Sequence, residues 1–398
     1  MYKYATISFK YIFLLGFIFI PLFYWPFASV PFEVPKVWLV NRWIELLGFL
    51  GIIIYPSITK KEKVDLGLII LIILFMVNTL ISSYLGADLY KSFWGNYYRQ
   101  DGLFSLAHLI LFFFVVVLFF RKKWMKYLNI AIGIGVFLLS LWTLYDGFLF
   151  YILDKQYIPS WEGAIGGPFG NPNFLAGYLI ITLPIVFALY RKSKMKIKLI
   201  WITTLVTSVS TIFLTHSRAA IIGLFIICFY WMLKYKKVSL KHFSLLIITF
   251  LLTIIALINF FNIINKDKFI AESRTRIFTK GYLAFLKKPI SGWGWANFDY
   301  AFESVDWPIK IEHDVYVDKA HSTFLEILVT TGSIGFIIYV LLILNIARVL
   351  YTNKLLREPY FLVFILYIVH SQTNIISISE ELIFWLLAGL SLNEPAIS

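Results

Sequence analysis

Three side chains able to bind or move charge stand beside long apolar runs: Arg218, Arg274 and His321. Guanidinium groups stay protonated at any working pH and donate paired hydrogen bonds, which suits a phosphate or pyrophosphate. An imidazole with an ordinary pKa of about 6.5 can take a proton from a hydroxyl near neutrality. Arg218 follows Thr215, His216 and Ser217 in a very short turn, which pins its charge close to an apolar span. An ionisable group held there points to function, although a snorkelling arginine would look the same. Arg274 and Arg276 read equally as solvated surface charges, and His321 as a surface or capping residue at a helix start. Taken together, the three groups describe a site for an anionic, phosphate-bearing molecule and a nucleophile that must lose a proton.

The elements that must position this chemistry are membrane spans. The chain is 60% hydrophobic and 19% aromatic, with a mean hydropathy of +0.80, well above the roughly 45–50% apolar content of a soluble domain. Apolar runs of about 18 residues or more, each able to cross a hydrocarbon core of about 30 Å, recur from end to end. The first, Phe9 to Phe27, lacks a small-residue cleavage site and reads as a retained anchor. The pattern predicts an all-α polytopic protein of about twelve transmembrane helices, at 9–27, 37–56, 65–85, 103–120, 127–150, 173–190, 199–214, 219–233, 243–264, 322–346, 359–374 and 382–393. Residues 1–398 form a single integral membrane domain in this reading.

Charge sets the orientation. Basic residues cluster at Lys60–Lys63, Arg121–Lys126, Arg191–Lys198, Lys234–Lys241 and Arg348–Arg357, at every second loop. With Lys3 and Lys10 this puts 21 of the 36 Lys and Arg on the cytoplasmic side, against four acids, Glu62, Asp65, Glu358 and Glu394. That is the positive-inside pattern, with both termini cytoplasmic. It also accounts for the net charge of +14 without any nucleic-acid partner. Arg218, Arg274 and His321 then share the non-cytoplasmic face, where positive charge runs against the usual bias. The only cysteine, Cys228, allows no intrachain disulfide, and no Cys/His spacing resembles a metal site.

One outer loop, 265–321, is long and aromatic, with Gly292-Trp-Gly-Trp295 inside it. Loops of this length are functional more often than idle. Its stretch Arg276 to Lys288 sets Ile277, Tyr282, Phe285 and Leu286 apart from the lysines, which predicts a short interfacial helix ending at Pro289. The turn Gly166 to Gly177 opens the sixth span, where Asn173 is expected to cap the helix. Asn78 and His108 inside spans are expected to bond between helices, and Arg42 with Glu45 to pair. Asp146, Asp154, Glu380 and Glu381 are carboxylates at outer span ends.

Four stretches together resemble the O-antigen ligase/polymerase superfamily of bacterial membrane glycosyltransferases. They are Gly170-Asn-Pro-Asn-Phe-Leu-Ala-Gly177; Ser217-Arg218-Ala-Ala; Ser273-Arg274 through Pro289-Ile-Ser-Gly-Trp-Gly-Trp-Ala-Asn297-Phe298; and His321-Ser-Thr-Phe-Leu-Glu-Ile-Leu-Val-Thr-Thr-Gly332-Ser-Ile-Gly335. The resemblance implies an inverting, metal-independent transferase in the bacterial cytoplasmic membrane, with no cofactor and its active site on the extracytoplasmic face. Its donor would be a glycan on undecaprenyl pyrophosphate, and its acceptor a lipid, glycan or protein hydroxyl. By that likeness Arg218 and Arg274 hold the pyrophosphate and His321 activates the acceptor, while Arg276, His216, Asn173 and Asn297 contact substrate. Arg274 fits the family position better than Arg276, lying fifteen residues before Pro289. Two positions depart from the family: Ser322 stands where Asn usually follows the histidine, and Phe278 where a Trp is usual. A polymerase and a protein O-oligosaccharyltransferase share the donor half of such a site. A lipid-linked oligosaccharide flippase is the alternative of another class, and charged groups lining a central path through the spans would favour it.

Overall fold

The computed structural model describes residues 2–57, 66–155, 158, 164–235, 273–306, 316–353, 356 and 358–392. In chain order its helices are α1 (Tyr2–Phe19), α2 (Glu33–Ile54), α3 (Leu66–Tyr84), α4 (Leu89–Trp94), α5 (Leu103–Phe119), α6 (Met125–Leu153) and α7 (Pro172–Lys192). There follow α8 (Met195–Leu214), α9 (Arg218–Tyr235), α10 (Arg274–Lys287), α11 (Phe298–Glu303), α12 (Thr323–Thr352), α13 (Tyr360–Ser371) and α14 (Ile378–Leu392). The described residues contain no strand. Seven helices are long and apolar enough to cross a membrane: α1 with the turn that follows it, α2, α3, α6, α7, α8 and α12. Four more of the expected spans coincide with α5, α9, α13 and α14, whose apolar stretches are shorter. The expected span at 243–264 lies outside the described residues, as do 265–272 and 307–315 of the long loop. The described parts of that loop carry the short helices α10 and α11.

Packing places α7 at the centre. It lies against α6, α8, α9 and α13, and 78% of its apolar window is buried, against 28% for α8. Gly177 shows why the turn into α7 must end on a small residue. A Cβ there would collide with the buried pair His370 and Glu380, whose Nε2 and Oε1 lie 3.3 Å apart. Polar groups inside the bundle bond between helices as anticipated. Asn78 Nδ2 donates to the Thr331 carbonyl (3.1 Å), His108 Nε2 lies 2.9 Å from Glu45 Oε1, and Arg42 pairs with Glu45 at 2.5 Å.

The short helix expected in the long loop forms as α10, beginning two residues earlier than its apolar pattern suggested. Its inward side carries Arg276, Ile277, Lys280, Gly281 and Ala284, while Phe278, Tyr282 and Leu286 are exposed. Ile277 therefore parts from Tyr282 and Leu286. The buried charges of Arg276 and Lys280 lie over the Phe302 ring, at 5.7 and 3.9 Å, and a cation over an aromatic face is held by the ring quadrupole.

The break in α12 explains two of the sequence stretches at once. Gly332 has φ 71° and ψ −177° inside the helix, a conformation open only to glycine. The interruption turns carbonyls away from the helix axis, and the aromatic loop docks on them. Trp293 N donates to Val329 O (3.0 Å), Gly294 N to Thr330 O (2.9 Å), and Ser333 N to Pro289 O (2.8 Å). A Cβ at Gly332 would strike the Ile290 carbonyl. Gly332→Ala is therefore expected to destabilise the protein by at least about 1–3 kcal/mol from backbone strain. A thermal melt of the solubilised protein checks this, and an unchanged midpoint would contradict it.

Candidate active site

One end of the bundle gathers the first turns of α2, α5, α7, α9 and α12 with the turn between α13 and α14. A cavity of about 140 Å³ opens there, lined by His321, Arg99, Asp101, Lys319, Glu326 and Glu381 among apolar walls that include Trp295 and Trp385. Arg218 and Arg274 lie outside that lining.

His321 sits in a left-handed turn, φ 53°, just before α12. The helix cap is the next residue: Ser322 Oγ accepts from Leu325 N and donates to Gln372 Oε1 (2.9 Å). Serine and asparagine serve equally well as N-caps, so the Ser322 departure from the family pattern keeps the local fold. Burial drives the His321 pKa down to about 3, aided by the positive charges of Arg274 and Arg99 and opposed by Asp318. The imidazole is therefore neutral at physiological pH and within electrostatic reach of Arg274. That arginine opens α10 directly after its cap, Ser273, whose Oγ accepts from Arg276 N (3.2 Å). Burial pulls the Arg274 pKa downward, but a guanidinium keeps its charge in any such setting.

An ion network fixes the segment ahead of His321. Arg99 Nε meets Asp318 Oδ2 at 2.6 Å. Lys319 Nζ lies 2.5 Å from Asp101 Oδ2 and 3.2 Å from Glu326 Oε1, and Glu326 Oε2 accepts from Ala320 N (2.7 Å). Burial alone would raise the Asp101 pKa, yet Lys319 and Arg99 hold it below the usual carboxylate range. Burial would likewise lower Lys319, but Asp101 and Glu326 push it above its ordinary value. Arg99, Asp101 and Lys319 thus keep their charges, and each is paired.

Contacts continue from this network toward Arg218. The Arg99 guanidinium lies 5.5 Å from the Phe174 ring. Phe174 follows Asn173, whose Oδ1 accepts from Ser217 Oγ (2.9 Å). Arg218 comes next in the chain and is exposed at the head of α9. The expected cap is corrected here: Asn171 caps α7 by accepting from Asn173 N (2.8 Å), and Pro172 occupies the first helical position. Asn173 instead ties α7 to the Arg218 turn.

The remaining candidates are placed differently. His216 is left-handed, φ 54°, and burial lowers its pKa. Arg276 points into the small core beside Phe302. Asn297 is buried, and its Nδ2 donates to Asp88 O (3.0 Å), Ser92 Oγ (3.1 Å) and Trp293 O (3.2 Å). Neither Arg276 nor Asn297 is among the residues lining the cavity. Reasoning from sequence passed over Arg99, Asp101, Asp318, Lys319 and Glu326. It also passed over Lys36, whose buried Nζ donates to the carbonyls of Phe23 (2.7 Å) and Pro168 (2.8 Å). Glu33 was missed too; its Oε1 accepts from Ile378 N. Among the described residues no group of three or more His, Cys, Asp or Glu converges as a metal ligand set.

Residues 203–340 match the family described as O-antigen ligase. The match supports the O-antigen ligase/polymerase superfamily. It begins within α8 and ends within α12, so it takes in Arg218, Arg274 and His321 but not the turn before α7. No curated protein and no solved structure matches the chain.

Proposed function

Starting from that family, we propose that the chain is a membrane glycosyltransferase moving a glycan from undecaprenyl pyrophosphate to a hydroxyl acceptor. The reaction takes place at the extracytoplasmic face of the bacterial cytoplasmic membrane, within one integral membrane domain. The observation that carries this reading is His321 lining the cavity, half-buried and within the field of Arg274. An imidazole in that state can receive a proton, and the exposed Arg274 guanidinium within its electrostatic reach can pair with the charge that leaves.

In the step, the acceptor oxygen attacks the anomeric carbon while its proton passes to the His321 imidazole. The bond from that carbon to the pyrophosphate oxygen breaks, with inversion, and undecaprenyl pyrophosphate departs. Arg274 and Arg218 stabilise the developing negative charge by pairing with the departing pyrophosphate. No metal enters this scheme. Purified protein in proteoliposomes, given lipid-linked glycan and acceptor, should release undecaprenyl pyrophosphate in step with transfer. Failure of any glycan transfer there would defeat the reading. The acceptor is read from a deletion phenotype: loss of attachment marks a ligase, and single-repeat attachment a polymerase.

The electrostatics around His321 carry a further expectation. His321 is a weak base because it is buried and because Arg274 repels its proton. A bound pyrophosphate offsets the Arg274 charge and raises the proton affinity of the imidazole, so the base strengthens when the donor arrives. The acid limb of kcat/KM reports the free enzyme and that of kcat the complex. The kcat/KM limb should therefore lie well below the ordinary histidine range, with the kcat limb at higher pH. Paired pH profiles test this; coincident limbs would contradict it.

A further inference from the structure

A second opening lies on the other side of the segment that carries Arg99 and Asp101. It encloses about 640 Å³, a size typical of small-molecule sites. Ser105 borders both this groove and the cavity beside His321. Gln100 lines the groove while its neighbours Arg99 and Asp101 line the cavity. Gln100 is left-handed, φ 52°, and strained non-glycine backbone of this kind gathers at functional sites.

The groove is walled by aromatic rings and floored by neutral polar groups. Trp38, Tyr90, Trp94 and Tyr97 line it and are 59%, 76%, 47% and 67% exposed. Trp94 is steadied by Phe104, with ring centroids 5.4 Å apart, and Tyr97 by Ser29 at 3.0 Å. Arg42, the one charged residue of its lining among the described residues, is bound to Glu45. On the floor Asn41 is 4% exposed. Its Nδ2 donates to Ser105 Oγ (3.4 Å), while its Oδ1 is buried with no hydrogen-bond partner among the described residues. Buried amide oxygens are normally paired, and Asn41 belongs to the lining of the groove.

Each feature selects against the other ligands at hand. A pyrophosphate would find no unpaired cation. A polyprenyl chain would leave the Asn41 carbonyl orphaned. An aromatic belt at the membrane interface accounts for exposed tryptophans but not for the buried amide between them. A pyranose ring answers every feature: its C–H face is apolar and lies flat on an indole, and its hydroxyls donate and accept at the edge. We propose that this groove is a saccharide-binding subsite that takes a neutral sugar unit of a glycan. The inference rests on the transferase reading for its purpose, though binding of a free sugar can be measured without it.

The test uses the full chain in nanodiscs and short oligosaccharides released by mild acid from the surface polysaccharide of the cell that encodes it. Saturation-transfer NMR should show contacts to sugar ring protons in the wild type and equally in His321→Ala. Trp38→Ala and Trp94→Ala should each weaken binding by about tenfold, as loss of an aromatic platform does. Trp94→Tyr should restore most of it, which separates lost stacking from misfolding, and Asn41→Leu should weaken it with the rings intact. Absent binding in the wild type, or binding unchanged in both alanine variants, overturns the subsite. In the transfer assay, a raised KM of Trp94→Ala for the lipid-linked donor assigns the sugar to the donor glycan. A raised KM for the acceptor assigns it to the acceptor, and two unchanged values overturn the proposal. Sugar binding by a chain without transfer activity would leave the subsite standing and remove the transferase.

Discussion

His321→Ala is expected to cut glycan transfer by about 10²–10⁴-fold, the usual contribution of a general base, while the protein still inserts and purifies normally. The fold tolerates the change because the helix cap is supplied by Ser322, not by the imidazole. The residues around it are clamped independently, through Gln372 on one side and the Lys319 pairs on the other. Arg274→Gln should fall in a similar range by removing charge stabilisation, on the order of 10²–10³-fold. The two losses should not add in the double variant, since in the proposed mechanism both groups serve one transition state. The check is initial rates of transfer from a lipid-linked glycan with matched protein in each vesicle. Activity near the wild-type level in either variant would take that residue out of the reaction.

Lys319→Met is expected to destabilise the protein by about 1–3 kcal/mol, because breaking a partly buried ion pair from one side strands its partners. Here both Asp101 and Glu326 would lose their counter-charge. The triple variant with Asp101→Asn and Glu326→Gln should recover much of that loss, since neutral amides need no counter-charge. Thermal midpoints of the solubilised proteins test both statements. A triple variant no more stable than the single one would mean that the lysine acts through packing. Transfer should fall as well, because Lys319 lies two residues before His321 and fixes the approach to α12.

Much of this architecture can be read from the chain because lipid imposes a simple rule. Apolar runs must become helices, and basic loops mark alternate ends. The interhelical bonds of Asn78 and His108 follow from the same rule, since a polar group in hydrocarbon must find a partner. Arg42 and Glu45 are legible because they are local. The ion network is not, because its partners are remote: Arg99 and Asp318 stand 219 positions apart. Read one loop at a time, each looks like a solvated charge, and nothing in its neighbours says that burial and an opposite charge await it. The cap of α7 could have been found. Pro172 is suited to the first helical position, and that places the cap at Asn171, leaving Asn173 free to reach Ser217. Arg276 and Asn297 have the right chemistry for substrate, but long-range packing on Phe302 and on α4 engages them.

The interruption at Gly332 divides α12 into a lower rod and a short upper piece that holds His321. The upper piece is stitched to the aromatic loop through main-chain bonds and to α3 through the Asn78 side-chain amide, which donates to the Thr331 carbonyl. A helix that spans lipid tilts when bilayer thickness changes, and an unbroken α12 would carry that tilt straight to the imidazole. With a hinge one third of the way along, the lower rod can lean while the upper piece keeps its register. If His321 serves the proposed reaction, its position is then expected to respond little to the thickness of the bilayer around it.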